Sequence, residues 1–200
     1  MDSILNGLMV IFSYGIGNIP FGLWVTRRQG DNSLETSGSG NIGATNVLRV
    51  FGKKAALLTL LGDIGKGVLA VVLTRYITGQ LEWEVASGLG VVLGHVYPVF
   101  RKGKRGGKGV ATGFGVLMVL NFRVGFLTFL IWGLTVGIWR YSSLGAIVSF
   151  AFFPVIVILI YPSQPLIYFS IFLFLIILNR HWGNVQRLAS GKEPKLGSSK

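Results

Sequence analysis

Residues 101–112, RKGKRGGKGVAT, place five cations and four glycines in twelve positions between two apolar stretches. Glycines lack a Cβ, so successive backbone N–H groups can curl inward into an anion-binding nest, and Lys108 can set a point charge beside them. The run from Val110 reads as a helix whose N-terminal dipole end faces the same anion. The chemistry implied is a phosphate cradle at a membrane surface, built on Gly106, Gly107, Lys108 and Gly109. A loop that only fixes topology would need the cations but not the glycines. A Walker A loop is excluded by spacing: three residues separate Gly103 from Gly107, and Gly109 stands where Ser or Thr should hold magnesium.

A second constellation spans residues 37–49, SGSGNIGATNVLR. Gly38, Gly40 and Gly43 spell a GxGxxG, but the preceding residues are polar and turn-like, so the buried strand of a dinucleotide fold is missing. What remains is a glycine-rich loop with Ser39, Asn41, Thr45 and Asn46, followed by Arg49, whose fork can grip phosphate. A third lies near the C-terminus, where Arg180, His181, Asn184 and Arg187 recur at helical spacing and predict one shared face beside the interfacial anchor Trp182. Asp63 and Lys66, three apart, are expected to pair, and His95 to be a hydrogen-bonding residue at a helix end.

The usual hydrolytic apparatus is absent. Neither histidine precedes an aspartate at the four-residue interval of soluble-donor acyltransferases, and no carboxylate or histidine cluster suggests a metal. No cysteine is present, so thiolate catalysis is excluded. Chemistry at such a site needs positioning and charge stabilisation around phosphate, which suits a donor already carrying a good leaving group.

These residues need elements to hold them, and the composition says which. With 51% hydrophobic and 13% charged residues among 200, the chain reads as an all-α integral membrane protein and a single polytopic domain over 1–200. Its net charge of +12 lies between apolar runs, pointing to lipid headgroups or anionic substrates and away from nucleic acid. Apolar segments at 4–26, 55–78, 85–100, 109–121, 124–139, 142–161 and 165–181 predict about seven transmembrane helices, several of them short. Sixteen of nineteen Lys and Arg fall in 27–54, 101–108, 140 and 180–200, which places those regions in the cytoplasm and the N-terminus outside. Gly90/Gly94 and Gly133/Gly137 are expected to be close-packing positions, and residues 193–200 a flexible tail.

The three motifs, GSGNIGATNVLR, GHVYPVF with GGKGVAT, and RH followed by Asn184, Arg187, Leu188, Gly191 and Glu193, resemble the bacterial acyl-phosphate:glycerol-3-phosphate acyltransferases. The resemblance covers nearly the whole chain. It implies a multi-pass protein of the bacterial inner membrane whose cytoplasm-facing site transfers a long acyl chain from acyl phosphate to the 1-position of glycerol 3-phosphate. The products are lysophosphatidic acid and phosphate, with no cofactor and no need for acyl-CoA or acyl-carrier protein. Carried over by position, Lys108, Ser39 and His181 form the catalytic set. Gly106, Gly107, Gly109 and Thr112 would hold the acyl-phosphate headgroup. Arg49, Asn41, Thr45 and Asn46 would position glycerol phosphate, and Arg180 and Asn184 would close the site with His181. Trp182-Gly183 departs from the Arg-Glu pair common in the family, and Ile42 stands where proline is frequent. The proton from the glycerol hydroxyl is expected to go to the substrate's own phosphate, with His181 as the competing base. The rival reading is a transporter for a phosphorylated anion, which predicts charges lining a route to both membrane faces.

Overall fold

The computed structural model describes residues 2–28, 33–101 and 106–197. The part of the basic loop at 102–105, with three of its cations, and the end of the tail at 198–200 lie outside the described residues. The described chain is helical: α1 (Asp2–Gly17), α2 (Phe21–Arg27), α3 (Ala44–Thr78), α4 (Leu81–Val96), α5 (Val110–Leu120), α6 (Phe122–Trp139), α7 (Ser142–Ile160), α8 (Gln164–Arg180) and α9 (Trp182–Ala189). All seven apolar segments fall largely on helix, with 4–26 broken at 18–20 and 85–100 leaving its α-helix after Val96. Where water is absent a helix satisfies its own N–H and C=O groups, and this selects the architecture. Among the described residues, four helical stretches have the length and apolarity to cross a membrane, or five if the α8–α9 pair, bent by 61°, counts as one. The 11-residue α5 would extend only about 16 Å, half of a ~30 Å hydrocarbon core.

Two compact units divide the chain, Met1–Val119 and Leu120–Lys200. In the first, α1 packs on α4 and α3, and α2 on α3. Side chains on Gly90 or Gly94 would run into the α1 backbone at Val10 or Tyr14, so these two glycines do permit close packing. Pro20 separates α1 from α2, because the residue before proline is pushed out of the helical region. A small core of Leu23, Leu34, Ile42, Val47, Ala55 and Ala56 lies beneath the first glycine-rich loop. Within α3, Gly52 adopts φ 82° and ψ −175° and breaks the helix. That conformation is essentially reserved for glycine.

In the second unit, α7 packs against both α6 and α8. Phe150, Phe153 and Phe169 meet edge to face with successive centroids 6.1 Å apart, each contact contributing about 0.5–1.5 kcal/mol beyond area burial. Gly133 and Gly137 depart from expectation: a Cβ at either would meet nothing within 4 Å among the described residues, so they do not mediate packing there. Residues 193–196 also differ from a frayed tail. Glu193 accepts hydrogen bonds from Ser143 Oγ at 2.7 Å, Asn184 Nδ2 at 2.6 Å and Arg187 Nε at 2.8 Å. Leu196 then exchanges backbone and guanidinium hydrogen bonds with Arg140.

Candidate active site

The first glycine-rich loop is held by one buried side chain. Asn46, 2% exposed, accepts the Ser39 amide at 2.8 Å and donates to the Leu34 and Ser37 carbonyls at 3.2 and 3.1 Å. Its amide therefore braces the loop through these three hydrogen bonds. Asn41 Oδ1 accepts the Gly43 amide at 2.9 Å, shaping the turn into α3. Ser39, Thr45 and Arg49 are exposed on this scaffold, with Arg49 one turn beyond Thr45.

The second loop differs from the nest expectation. The Gly106 and Gly107 amides donate to the Val96 and His95 carbonyls at 3.0 and 3.1 Å. The reason is local: the last carbonyls of α4 have no intrahelical partner and take the nearest donors. Gly106 and Gly107 serve the loop through their missing side chains, since a Cβ on Gly107 would fall on the edge of the His95 ring. Beyond them, Lys108 is half-buried and Gly109 has φ 87°. The chain then enters α5, whose first-turn amides lack intrahelical acceptors and face outward with the positive end of the helix dipole. Thr112, in that turn, is fully buried, and its hydroxyl has no partner among the described residues. An orphaned buried hydroxyl costs about 1–3 kcal/mol. Lys108 and the start of α5 thus carry the donor groups of this loop.

Beneath this loop the expected Asp63–Lys66 pair is present, with Lys66 Nζ 2.9 Å from Asp63 Oδ1. His95, at the end of α4 as expected, places Nδ1 2.7 Å from the same ammonium. Sequence spacing cannot reveal that link, which depends on how α3 and α4 pack. The two loops are joined as well: Arg101, the first residue of the basic loop, hydrogen-bonds to Glu35, preceding the glycine-rich one.

In the second unit the continuous face expected of Arg180, His181, Asn184 and Arg187 is interrupted. His181 ends α8 and begins α9 at the bend, so Arg180 belongs to a different helix from Asn184 and Arg187. His181 is buried and its Nδ1 lies 2.8 Å from the Ile177 carbonyl. A carbonyl can only accept, so Nδ1 carries a proton. Asn184 and Arg187 converge on Glu193. Burial raises the affinity of the Glu193 carboxyl for its proton. The three hydrogen bonds and the Arg187 charge outweigh burial, so it titrates below the ordinary value.

Residues 7–191 match the family described as glycerol-3-phosphate acyltransferase. The glycerol-3-phosphate acyltransferase of Jannaschia sp. (strain CCS1) is 42% identical over 198 residues, covering 99% of this chain and 96% of that protein. The enzyme of that name from Caulobacter vibrioides is 42% identical over 195 residues, covering 97% and 89%. Among solved structures, PlsY (YgiH), an integral membrane glycerol 3-phosphate acyltransferase, aligns in its glycerol 3-phosphate form with a TM-score of 0.90 at 34% identity, covering 96% of each chain. Its lysophosphatidic acid form aligns with a TM-score of 0.88 at 34% identity, covering 96% of this chain and 95% of that one.

Proposed function

This chain belongs to the glycerol-3-phosphate acyltransferase family, and we propose that it acylates glycerol 3-phosphate at the 1-position with acyl phosphate as donor. The product is lysophosphatidic acid, and inorganic phosphate leaves. One observation carries the assignment of the donor phosphate to the second loop. Lys108, the first turn of α5, whose opening amides have no intrahelical acceptor, and the Thr112 hydroxyl, without a partner among the described residues, fall within five consecutive residues. Donors so arranged suit the charge that builds on a departing phosphate. Ser39, Thr45 and Arg49 are taken to position the acceptor, with Asn41 and Asn46 shaping their loop. The glycerol hydroxyl attacks the acyl carbonyl carbon, the tetrahedral adduct collapses, and the C–O bond to phosphate breaks. The hydroxyl proton passes to the acceptor's own phosphate. His181 is the competing base; in its neutral form, with Nδ1–H held by the Ile177 carbonyl, Nε2 is the nitrogen that would take the proton. Arg180, His181 and Asn184 are retained as participants on the strength of their motif.

We place the protein in the bacterial inner membrane, with the Lys- and Arg-rich loops and the site facing the cytoplasm, and treat 1–200 as one catalytic domain. Transport of a phosphorylated anion is the alternative. The deep charges disfavour it, because Asp63 and Lys66 are paired with each other inside the first unit. The test is phosphate release from the protein in lipid given palmitoyl phosphate and glycerol 3-phosphate, compared with palmitoyl-CoA. Release that needs both substrates, with lysophosphatidic acid formed, is expected. Turnover with the CoA donor alone would refute the donor assignment.

A further inference from the structure

We propose that Lys66 locks the His95 imidazole as the neutral tautomer with its proton on Nε2, and that the locked ring is a positioning residue for the Gly106–Lys108 loop. An ammonium has three donors and no acceptor. Lys66 Nζ has three acceptors within reach: Asp63 Oδ1 at 2.9 Å, the Ile19 carbonyl at 2.9 Å and His95 Nδ1 at 2.7 Å. Because Nζ can only donate, Nδ1 accepts, and the ring proton sits on Nε2. The 3.4 Å between His95 Nδ1 and Asp63 Oδ1 is then the separation of two groups that face one ammonium, the first hydrogen-bonded to it and the second ion-paired with it. Asp63, Lys66 and His95 are 2%, 3% and 6% exposed, so water cannot substitute for any of these partners.

The triad reaches the loop through His95, twice. The His95 carbonyl accepts the Gly107 amide at 3.1 Å. The ring edge carrying Nε2 fills the space where a Gly107 side chain would stand. The other tautomer would turn an N–H against the Lys66 ammonium, forcing the ring away from both contacts. Asp63 and Lys66 thus set the ring, the ring sets Gly107, and Gly107 sets the backbone from which Lys108 departs. The kinetic consequence rests on the proposed reading that this loop holds the donor phosphate; the tautomer does not.

The chain has two histidines, and His181 takes the opposite tautomer because its Nδ1–H donates to Ile177. Long-range proton–nitrogen spectra of the full chain in lipid nanodiscs, labelled at histidine, should show one ring of each tautomer at pH 7. The Nε2–H ring should vanish in His95→Gln and lose its fixed tautomer in Lys66→Met. An Nδ1–H ring or an imidazolium at His95 in the unaltered protein defeats the lock, whatever the folding of either variant. Positioning is read from kinetics. His95→Phe keeps a ring but loses the Nδ1 acceptor of Lys66 and should lower kcat or raise the donor KM roughly tenfold or more. The KM for glycerol 3-phosphate should stay within about twofold, and His95→Gln should recover much of the loss. Gly107→Ala, which presses on the ring from the other side, supplies the same comparison if His95→Phe does not fold. Equal losses toward both substrates, or full activity in the folded variant, refute positioning. A change confined to the glycerol 3-phosphate KM sustains positioning but shows that the loop serves the acceptor, correcting the proposed reading instead.

Discussion

The Arg101 guanidinium donates to the Glu35 carboxylate across 66 residues of sequence, tying the start of the basic loop to the chain before the glycine-rich one. Their side chains are 9% and 26% exposed, so the pair is only partly screened by solvent. Glu35→Gln should cost about 1–3 kcal/mol, from loss of a hydrogen bond between charged groups. It should also raise a substrate KM. The double exchange Glu35→Arg with Arg101→Glu should recover part of both losses, measured by thermal unfolding in detergent and by initial rates. An exchange no better than the single changes would deny the coupling.

Asn46 offers a second handle on the same loop. Asn46→Leu leaves the Ser39 amide and the Leu34 and Ser37 carbonyls without their partner, and should lose on the order of 2–3 kcal/mol. Asn46→Asp keeps the acceptor for Ser39 but neither donor, and should fall between. Equal stability of all three proteins would remove Asn46 from this role.

Lys108→Ala should fold normally and lose about 10²–10³-fold in kcat, the usual effect of deleting a donor to developing negative charge. Arg49→Ala should chiefly raise the KM for glycerol 3-phosphate. Steady-state kinetics with each substrate varied separates these effects. If both variants shift the same parameter for the same substrate, the division of labour between the loops is wrong.

Glu193 gives the second unit a pH signature. Its carboxyl titrates below the ordinary value of 4.5, so the unfolded chain takes up the proton first as pH falls. The stabilisation is complete above that value and disappears as pH drops through the lower folded-state value. Glu193→Gln should therefore be less stable at pH 7 and show a shallower stability slope below pH 4.5. Parallel slopes for the two proteins would show that the carboxylate is not responsible.

Gly107 and Gly133 form a paired test of close approach. Alanine at Gly107 collides with the His95 ring, whereas alanine at Gly133 meets nothing within 4 Å. Gly107→Ala should cost more than about 1 kcal/mol. Gly133→Ala should be neutral or slightly stabilising, since alanine is favoured by about 1 kcal/mol within a helix.

The helices were legible because a membrane segment advertises itself over many residues, and the positions of 55–78 and 142–161 follow from apolarity alone. The loops were legible as chemistry but not as geometry. Gly106 and Gly107 look like anion donors until the unpaired end of α4 claims their amides. Arg180 and Arg187 look like one face until the chain bends at His181. The Lys66–His95 and Arg101–Glu35 contacts join positions 29 and 66 residues apart, and no local spacing rule encodes such separations.

The break at Gly52 resets the angular phase of α3. In an unbroken helix Arg49 and Asp63 would project within about 40° of each other at 100° per residue. With φ 82° and ψ −175° between them, that sum no longer applies. Substitution tolerance measured along 44–78 should therefore follow two helical wheels, one on each side of residue 52, with an offset set by one glycine. Any other residue at 52 must either pay for that backbone or bring the two wheels into register, turning Arg49 away from its loop.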